Sequence, residues 1–392
     1  MNLHQLAKNI IYLLKRRYRQ LKPKRIINYS DSSKLVIGRA LVSYIPGSLI
    51  WSKDDPRFRG HTNLWESAEI ARILVALGYV VDAISHEDDK FVSQKKYDIV
   101  FDIHRNLQKY SNNTTKKILH ATGSFNVYSN IAERQRLVAL SQRRGANLVP
   151  RRAIPKKSIE DFLRNALAAD VITLVGNEVT KATFPDELQK KIKCIPVTGS
   201  LLKWVRNCET QSLVEREYLW FGGSGAVHKG LDLVIEAFSK MPELILHIIG
   251  PIETEVDFIN EYKRELSECR NIIMHGYLFP SEERFRLVTG KVVGFILPSC
   301  SEGTSTAAIT CMQYGLIPIV SKDCGVDITP ERGILLKECT ITEIIAAIQV
   351  LDSMGADRLR KMAGAAQSFA VDNHSRQQFS SRMKIIFRDL IS

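Results

Sequence analysis

The stretch that most constrains this chain runs from Lys291 to Val320, KVVGFILPSCSEGTSTAAITCMQYGLIPIV. An apolar, β-branched run, Val292 to Leu297, stops at Pro298-Ser299. Ser301 or Thr304 then stands where a helix cap belongs, and the helix ends at Gly315 before a second apolar run, Leu316 to Val320. This is a strand–loop–helix–strand unit. Its loop holds one carboxylate, Glu302, followed by Gly303, Thr304, Ser305 and Thr306, which lead into the unpaired backbone N–H groups of a helix start. Those groups and the positive end of the helix dipole attract anions, and Gly303 lets a phosphate approach the backbone. The unit reads as a site for a phosphorylated ligand; the plainer reading is a capped helix with an exposed glutamate.

At 392 residues the chain suits two domains rather than one core. Its seven cysteines are scattered and never spaced as CxxC, which argues against a disulfide framework or a zinc site and points to a reducing compartment. No run of about 18 apolar residues is present to span a bilayer. The formal charge is +13, and the first 27 residues, which hold no acidic group, supply eight of those charges and leave +5 on the rest. Leu3, Leu6, Ala7, Ile10, Leu14, Tyr18 and Leu21 recur there at helical spacing. Residues 1–28 therefore read as a basic amphipathic helix that either lies on an anionic membrane surface through residues 1–27 or docks on the protein itself. The order of charge and apolar core is the reverse of a secretory signal.

The chain then alternates strands and helices twice over. Arg39 to Ile45 is a strand, a turn-rich loop follows, and His61 or Thr62 opens a helix that finishes at Gly78 before the strand Tyr79 to Ile84. Gly60 precedes that helix, but the GxGxxG dinucleotide pattern is missing. The runs Asp98 to Ile103 and Lys117 to Leu119 each end in a histidine, His104 and His120, and either could face a cleft or serve structure. A polar helix is expected over Asn130 to Arg152, with Arg134, Arg136, Arg143, Arg144, Arg151 and Arg152 forming either a solvated face or a site for an acidic substrate. Strands at Val171 to Val175 and Lys193 to Val197 complete a doubly wound domain, and a connector covers roughly residues 198–216. The second half begins again with Tyr218 to Phe221, the loop Gly222-Gly223-Ser224-Gly225 and Lys229-Gly230, which is not a Walker loop. Strands at Leu244 to Ile249 and Asn271 to Met274, the turn His275-Gly276-Tyr277-Leu278 and a helix at Glu282 to Val288 lead into the opening stretch. Beyond it a loop from Asp323 to Gly333 and three helical stretches close the chain.

Together, GGSGAVHKGLDLVIEAF, HGYL and LPSCSEGTSTAAITCMQYGLIPIVS resemble the nucleotide-sugar-binding domain of family 4-like GT-B glycosyltransferases, the glycosyl transferases group 1. The resemblance is specific over about Tyr218 to Ser321 and weaker over RGHTNLWESAEIARILVALGYVVDAIS in the first half. It implies an α/β fold of two Rossmann-like domains facing across a cleft: residues 35–200 on the acceptor side, 213–372 binding the nucleotide sugar, and 373–392 as a helix returning to the first domain. It also implies transfer of a sugar from a nucleotide-sugar donor to a saccharide or lipid-linked saccharide, with retention of configuration, no catalytic metal and no cofactor beyond the donor substrate. By position, Lys229 resembles the lysine on the donor diphosphate, and Glu302 resembles the first glutamate of an E-x7-E signature beside the donor sugar. The catalytic pair expected is Glu302 with His120, and His104 stands behind the latter. Gly60, Gly223, Ser224, Lys229, Gly276, Tyr277, Gly303, Thr304, Ser305, Thr306 and Thr310 are the donor-side residues.

Two positions depart from the family pattern. Ser224 stands where an arginine is usual, and Thr310 where the second glutamate is usual. Other readings are a sugar-nucleotide epimerase or a non-catalytic sugar-nucleotide-binding protein of the same fold, and, from another class, a basic nucleic-acid-binding protein. Against the last, the excess charge sits in one terminal segment and no nucleic-acid module is recognisable, so no nucleic-acid partner is expected. The expected location is cytoplasmic, peripheral on the inner face of the cell membrane.

Overall fold

A computed structural model describes residues 24–52, 55, 58, 62–200, 204–208 and 216–392. Residues 1–23, which make up most of the expected N-terminal helix, and Gly60 lie outside the described residues. The end of that segment is not helical: Arg25–Tyr29 form strand β1. Arg25 reaches both oxygens of Asp88 at 2.5 and 3.0 Å, and Asn28 donates its N–H to Asp82 at 2.8 Å, which fixes the segment along a sheet edge.

The first sheet has seven strands: β1, then β2 (Gly38–Tyr44), β3 (Tyr79–Ser85), β4 (Ile99–Asp102), β5 (Lys116–Ala121), β6 (Val171–Val175) and β7 (Ile192–Ile195). Their spatial order is β1-β3-β2-β4-β5-β6-β7, parallel throughout except for β1 against β3. The second sheet is wholly parallel and has six strands: β8 (Glu217–Phe221), β9 (Ile245–Ile249), β10 (Ile272–Gly276), β11 (Gly294–Leu297), β12 (Ile317–Ser321) and β13 (Ile334–Leu336), ordered β10-β9-β8-β11-β12-β13. Parallel strands must be covered on both faces, which is why β4 and β11 are apolar and buried at nearly every position. Each sheet reverses its winding direction once, between β2 and β4 and between β8 and β11, and ligands gather beyond the strand ends at such points.

The helix Arg376–Ile391 packs on the first domain, with Phe379 against Trp65 (5.9 Å between ring centres), Phe387 near Phe101 (6.3 Å) and Ser380 bonded to Glu69 at 2.7 Å. The chain thus crosses between domains twice, and the crossings touch: Gly199 donates its N–H to His374 O at 3.2 Å, and His374 Nδ1 lies 3.2 Å from Val197 O.

The arginine-rich helix is shorter than its sequence suggests. It spans Asn126–Arg144 and stops where Gly145 takes φ 73° and donates its N–H to Ser141 O at 2.7 Å; a separate helix, Lys156–Ala168, follows. Arg134 is exposed to solvent, but four arginines of the basic stretch clamp the second domain. Arg143 pairs with Asp232 at 2.7 Å and Arg144 with Glu261 and Glu265 at 2.6 and 2.7 Å. Arg151 pairs with Asp257, and Arg136 donates to Pro298 O at 2.8 Å.

Candidate active site

Both winding reversals open onto one cleft. It has two lobes, of about 720 and 560 Å³, that share Glu302, Gly303, Arg152, Thr122, Ile103 and His86. The smaller lobe lies between the strand ends at Tyr44, Ile45, Phe221 and Gly222 and the helix Thr306–Gln313; Tyr277 and Pro280 complete its wall. The larger is bounded by His104, Arg105, Gly123, Ser124, Ser224 and His228.

Glu302 stands where the lobes meet. Its carboxylate forms an ion pair with the Lys229 ammonium and accepts a hydrogen bond from Ser299 Oγ at 3.2 Å. Burial alone would push its pKa up, but Lys229, Arg152 and His228, together with the Lys229 hydrogen bond, hold it down to about 2, so the group is ionised at neutral pH. Lys229 is 7% exposed and sits on a turn whose carbonyl accepts the Trp220 indole N–H at 3.2 Å. The two residues expected to divide the donor between them therefore bind each other first.

The helix start differs in detail from the expectation. Its cap is Ser305, whose hydroxyl accepts the Ala308 N–H at 3.4 Å, rather than Ser301 or Thr304. Thr304 N–H donates to Val175 O at 3.1 Å and Ser305 N–H to Cys324 O at 2.9 Å, so neither is open to a phosphate. The first-turn donors that line the lobe are those of Thr306 and Ala307. Gly303 admits protein rather than ligand: a Cβ there would lie 2.3 Å from Val175 O and 2.9 Å from Thr122 O, the ends of two first-domain strands. Thr310 is buried and bonded to Ser200 of the interdomain connector (Oγ–Oγ 3.2 Å), so it offers the cleft no charge. Gly223 and Ser224 are exposed on the glycine loop, one in each lobe, and Gly276 ends β10 next to Tyr277.

His120 is not in the cleft. The strand runs on to Ala121, so His120 falls within it and its ring turns under the sheet, between Tyr44 and Phe101, with Nδ1 2.9 Å from Thr173 Oγ1. Burial drives its pKa down to about 3, and a neutral core histidine results. His104, beyond the end of β4, does line the larger lobe, and burial lowers its pKa too. Three cleft residues were not singled out from sequence, His86, His228 and Glu66, while Arg152 comes from the basic stretch that was. His228 Nε2 lies 2.6 Å from Ser301 O, and burial lowers its pKa to about 4, so it donates to that carbonyl as a neutral ring. The signal for His228 was its place beside Lys229 in the motif; Glu66 and His86 carry none. Among the described residues no cluster of His, Cys, Asp and Glu has the arrangement of a metal site, and no helix is long and apolar enough to cross a membrane.

Residues 215–352 match the family described as Glycosyl transferases group 1. A comparison with curated proteins finds no match. Among solved structures, sucrose-phosphate synthase from Thermosynechococcus elongatus is similar over 90% of this chain and 98% of its own, with a TM-score of 0.63 and 14% identity. A glycosyltransferase from Rickettsia africae ESF-5 is similar over 91% and 99%, with a TM-score of 0.56 and 13% identity. HepE from Anabaena, in complex with UDP and glucose, is similar over 91% and 100%, with a TM-score of 0.55 and 12% identity. At such identities the structural likeness carries the fold alone: the chain has the two-domain GT-B fold, and its residues 215–352 match the group 1 glycosyl transferases.

Proposed function

We propose that the protein transfers a sugar from a nucleoside-diphosphate sugar to a saccharide or lipid-linked saccharide acceptor, in cell-surface polysaccharide or glycolipid synthesis. The observation that carries this reading is the Lys229–Glu302 pair, held at the junction of two lobes that both winding reversals feed. As the bond from the anomeric carbon to the diphosphate breaks, negative charge grows on the leaving oxygens. The Lys229 ammonium, shared with Glu302, and the Thr306 and Ala307 N–H groups face that charge. Glu302, ionised, accepts hydrogen bonds from sugar hydroxyls and supports the positive character at the anomeric carbon. Charge that a divalent cation would otherwise balance falls to these groups, which supports metal-independent chemistry with no cofactor beyond the donor. The family resemblance supports retention at the anomeric carbon. HepE holds UDP and glucose, and the pneumococcal transferase GtfA holds UDP and GlcNAc, so UDP-sugars are the first donors to try. The basic first 27 residues support peripheral contact with the inner face of the cell membrane, and hence a cytoplasmic location.

A thermal-shift series with nucleoside diphosphates and their sugars tests donor binding, since a ligand that binds the folded state raises its apparent stability. With the donor so found, Glu302→Gln should lower turnover by roughly a hundredfold, equivalent to about 2.7 kcal/mol, and leave nucleoside diphosphate affinity within about threefold. Wild-type turnover in that variant would remove Glu302 from the chemistry. Thr310, bonded to Ser200 and uncharged, favours one further reading, a binding protein without turnover. Donor binding with no release of nucleoside diphosphate in the presence of any acceptor would select it.

A further inference from the structure

We propose that Arg152, which reaches the cleft from the first domain, is the second cation of the diphosphate site and covers the uncharged glycine loop of the second domain. This rests on the donor reading above and adds a residue to it. The first argument is charge. Among the described residues, the smaller lobe is lined by two cationic side chains, Lys229 and Arg152, and two carboxylates, Glu66 and Glu302. Lys229 is bound to Glu302, so its charge is already answered inside the protein. A departing diphosphate gains negative charge, and the loop 222–225 beside it carries none of the opposite sign.

The second argument is place. Arg152 lines both lobes, and its stem lies over the loop: a Cβ built on Gly225 would sit 2.9 Å from Arg152 Cγ. Its guanidinium is close enough to Glu302 to help hold that carboxylate ionised. The third argument is availability. Arg136, Arg143, Arg144 and Arg151 are all bonded across the domain boundary. The Arg152 guanidinium has no hydrogen bond or ion pair among the described residues. Its backbone is nonetheless fixed, because the buried Glu133 carboxylate accepts the N–H groups of Arg151 and Arg152 at 3.0 Å and Asn130 brackets Ile154 with two 2.8 Å bonds. A planar fork on a fixed stem, left unpaired at a cleft, suits bidentate binding of phosphate oxygens.

The test compares UDP and GDP with UMP and GMP by titration calorimetry on the wild type, R152A and R152A/S224R. Arg152 holds its loop through backbone N–H groups, so R152A should melt within a few degrees of the wild type. It should bind the better diphosphate about tenfold more weakly and its monophosphate within about threefold. Arginine at position 224, on the loop that Arg152 covers, should recover most of the lost diphosphate affinity. Unchanged diphosphate binding in R152A, an equal loss for mono- and diphosphate, or a double variant no better than R152A would each overturn the assignment while the donor reading stands. If the wild type binds neither diphosphate, the donor reading itself fails and the assignment goes with it.

Discussion

Glu66 and Glu302 line the same lobe yet ionise in opposite directions. Around Glu302, cations outweigh burial. Around Glu66, burial dominates the hydrogen bonds from Thr198 N (3.0 Å) and Oγ1 (2.8 Å), and its pKa rises to about 6. A carboxyl that holds its proton more tightly folded than unfolded contributes stability below its unfolded pKa and loses it as pH rises through the folded one. Stability should therefore fall as pH rises from about 4.5 to about 6, by about 2 kcal/mol for this group. Glu66→Gln keeps an acceptor for Thr198 and should flatten that slope in urea unfolding; an unchanged slope would assign it elsewhere. Glu302 acts at the other end, its contribution lost only as pH falls through about 2. Residue placement was legible where a motif fixed it, as with Lys229 and Glu302, which meet in the cleft. It was illegible where two positions of strand length decided the outcome: a strand read as ending at Leu119 frees His120, while one that runs to Ala121 buries it.

At the scale of elements, the opening stretch carried the most legible signal, and β11, the helix after it and β12 lie where its apolar runs and Gly315 put them. Short elements carried little. Ile334–Leu336 is three residues long, too few to show alternation, and Arg25–Tyr29 is a strand because Asp82 and Asp88 hold it there, partners more than fifty residues away in sequence. The loop 301–305 is tied to the first domain as tightly as to its own: Ser301 Oγ meets Ser124 Oγ, Thr304 N–H meets Val175 O, and Gly303 leaves no room for a side chain. Gly303→Ala should push Thr122 and Val175 away and displace the neighbouring Glu302. Turnover should fall at least tenfold while both domains stay folded by circular dichroism. Full activity in that variant would show that the approach of the two backbones does not matter to the cleft.

At the scale of the whole molecule, two doubly wound sheets turn their reversal points toward each other, and the arginine helix Asn126–Arg144 binds the halves together around them. That architecture was legible because alternation of strand and helix restarts after the connector; the clamp was not, since a row of arginines looks the same facing water or facing another domain's carboxylates. The basic N-terminal segment lies apart from the cleft in sequence, which separates its role from turnover. Deleting Met1 to Lys24 should abolish flotation with anionic vesicles and spare turnover of a soluble acceptor, because each basic residue near such a surface contributes about 1 kcal/mol. Vesicle binding that survives the deletion would place the contact elsewhere. The two chain crossings between the domains, tied together at Gly199 and His374, work as a pair of adjacent pins. A joint of that kind folds about the line through both pins but resists rotation about the long axis, which would shear the bond between them. An opening about those pins would, on closing, bring the face bearing Lys229 back to the same first-domain strand ends.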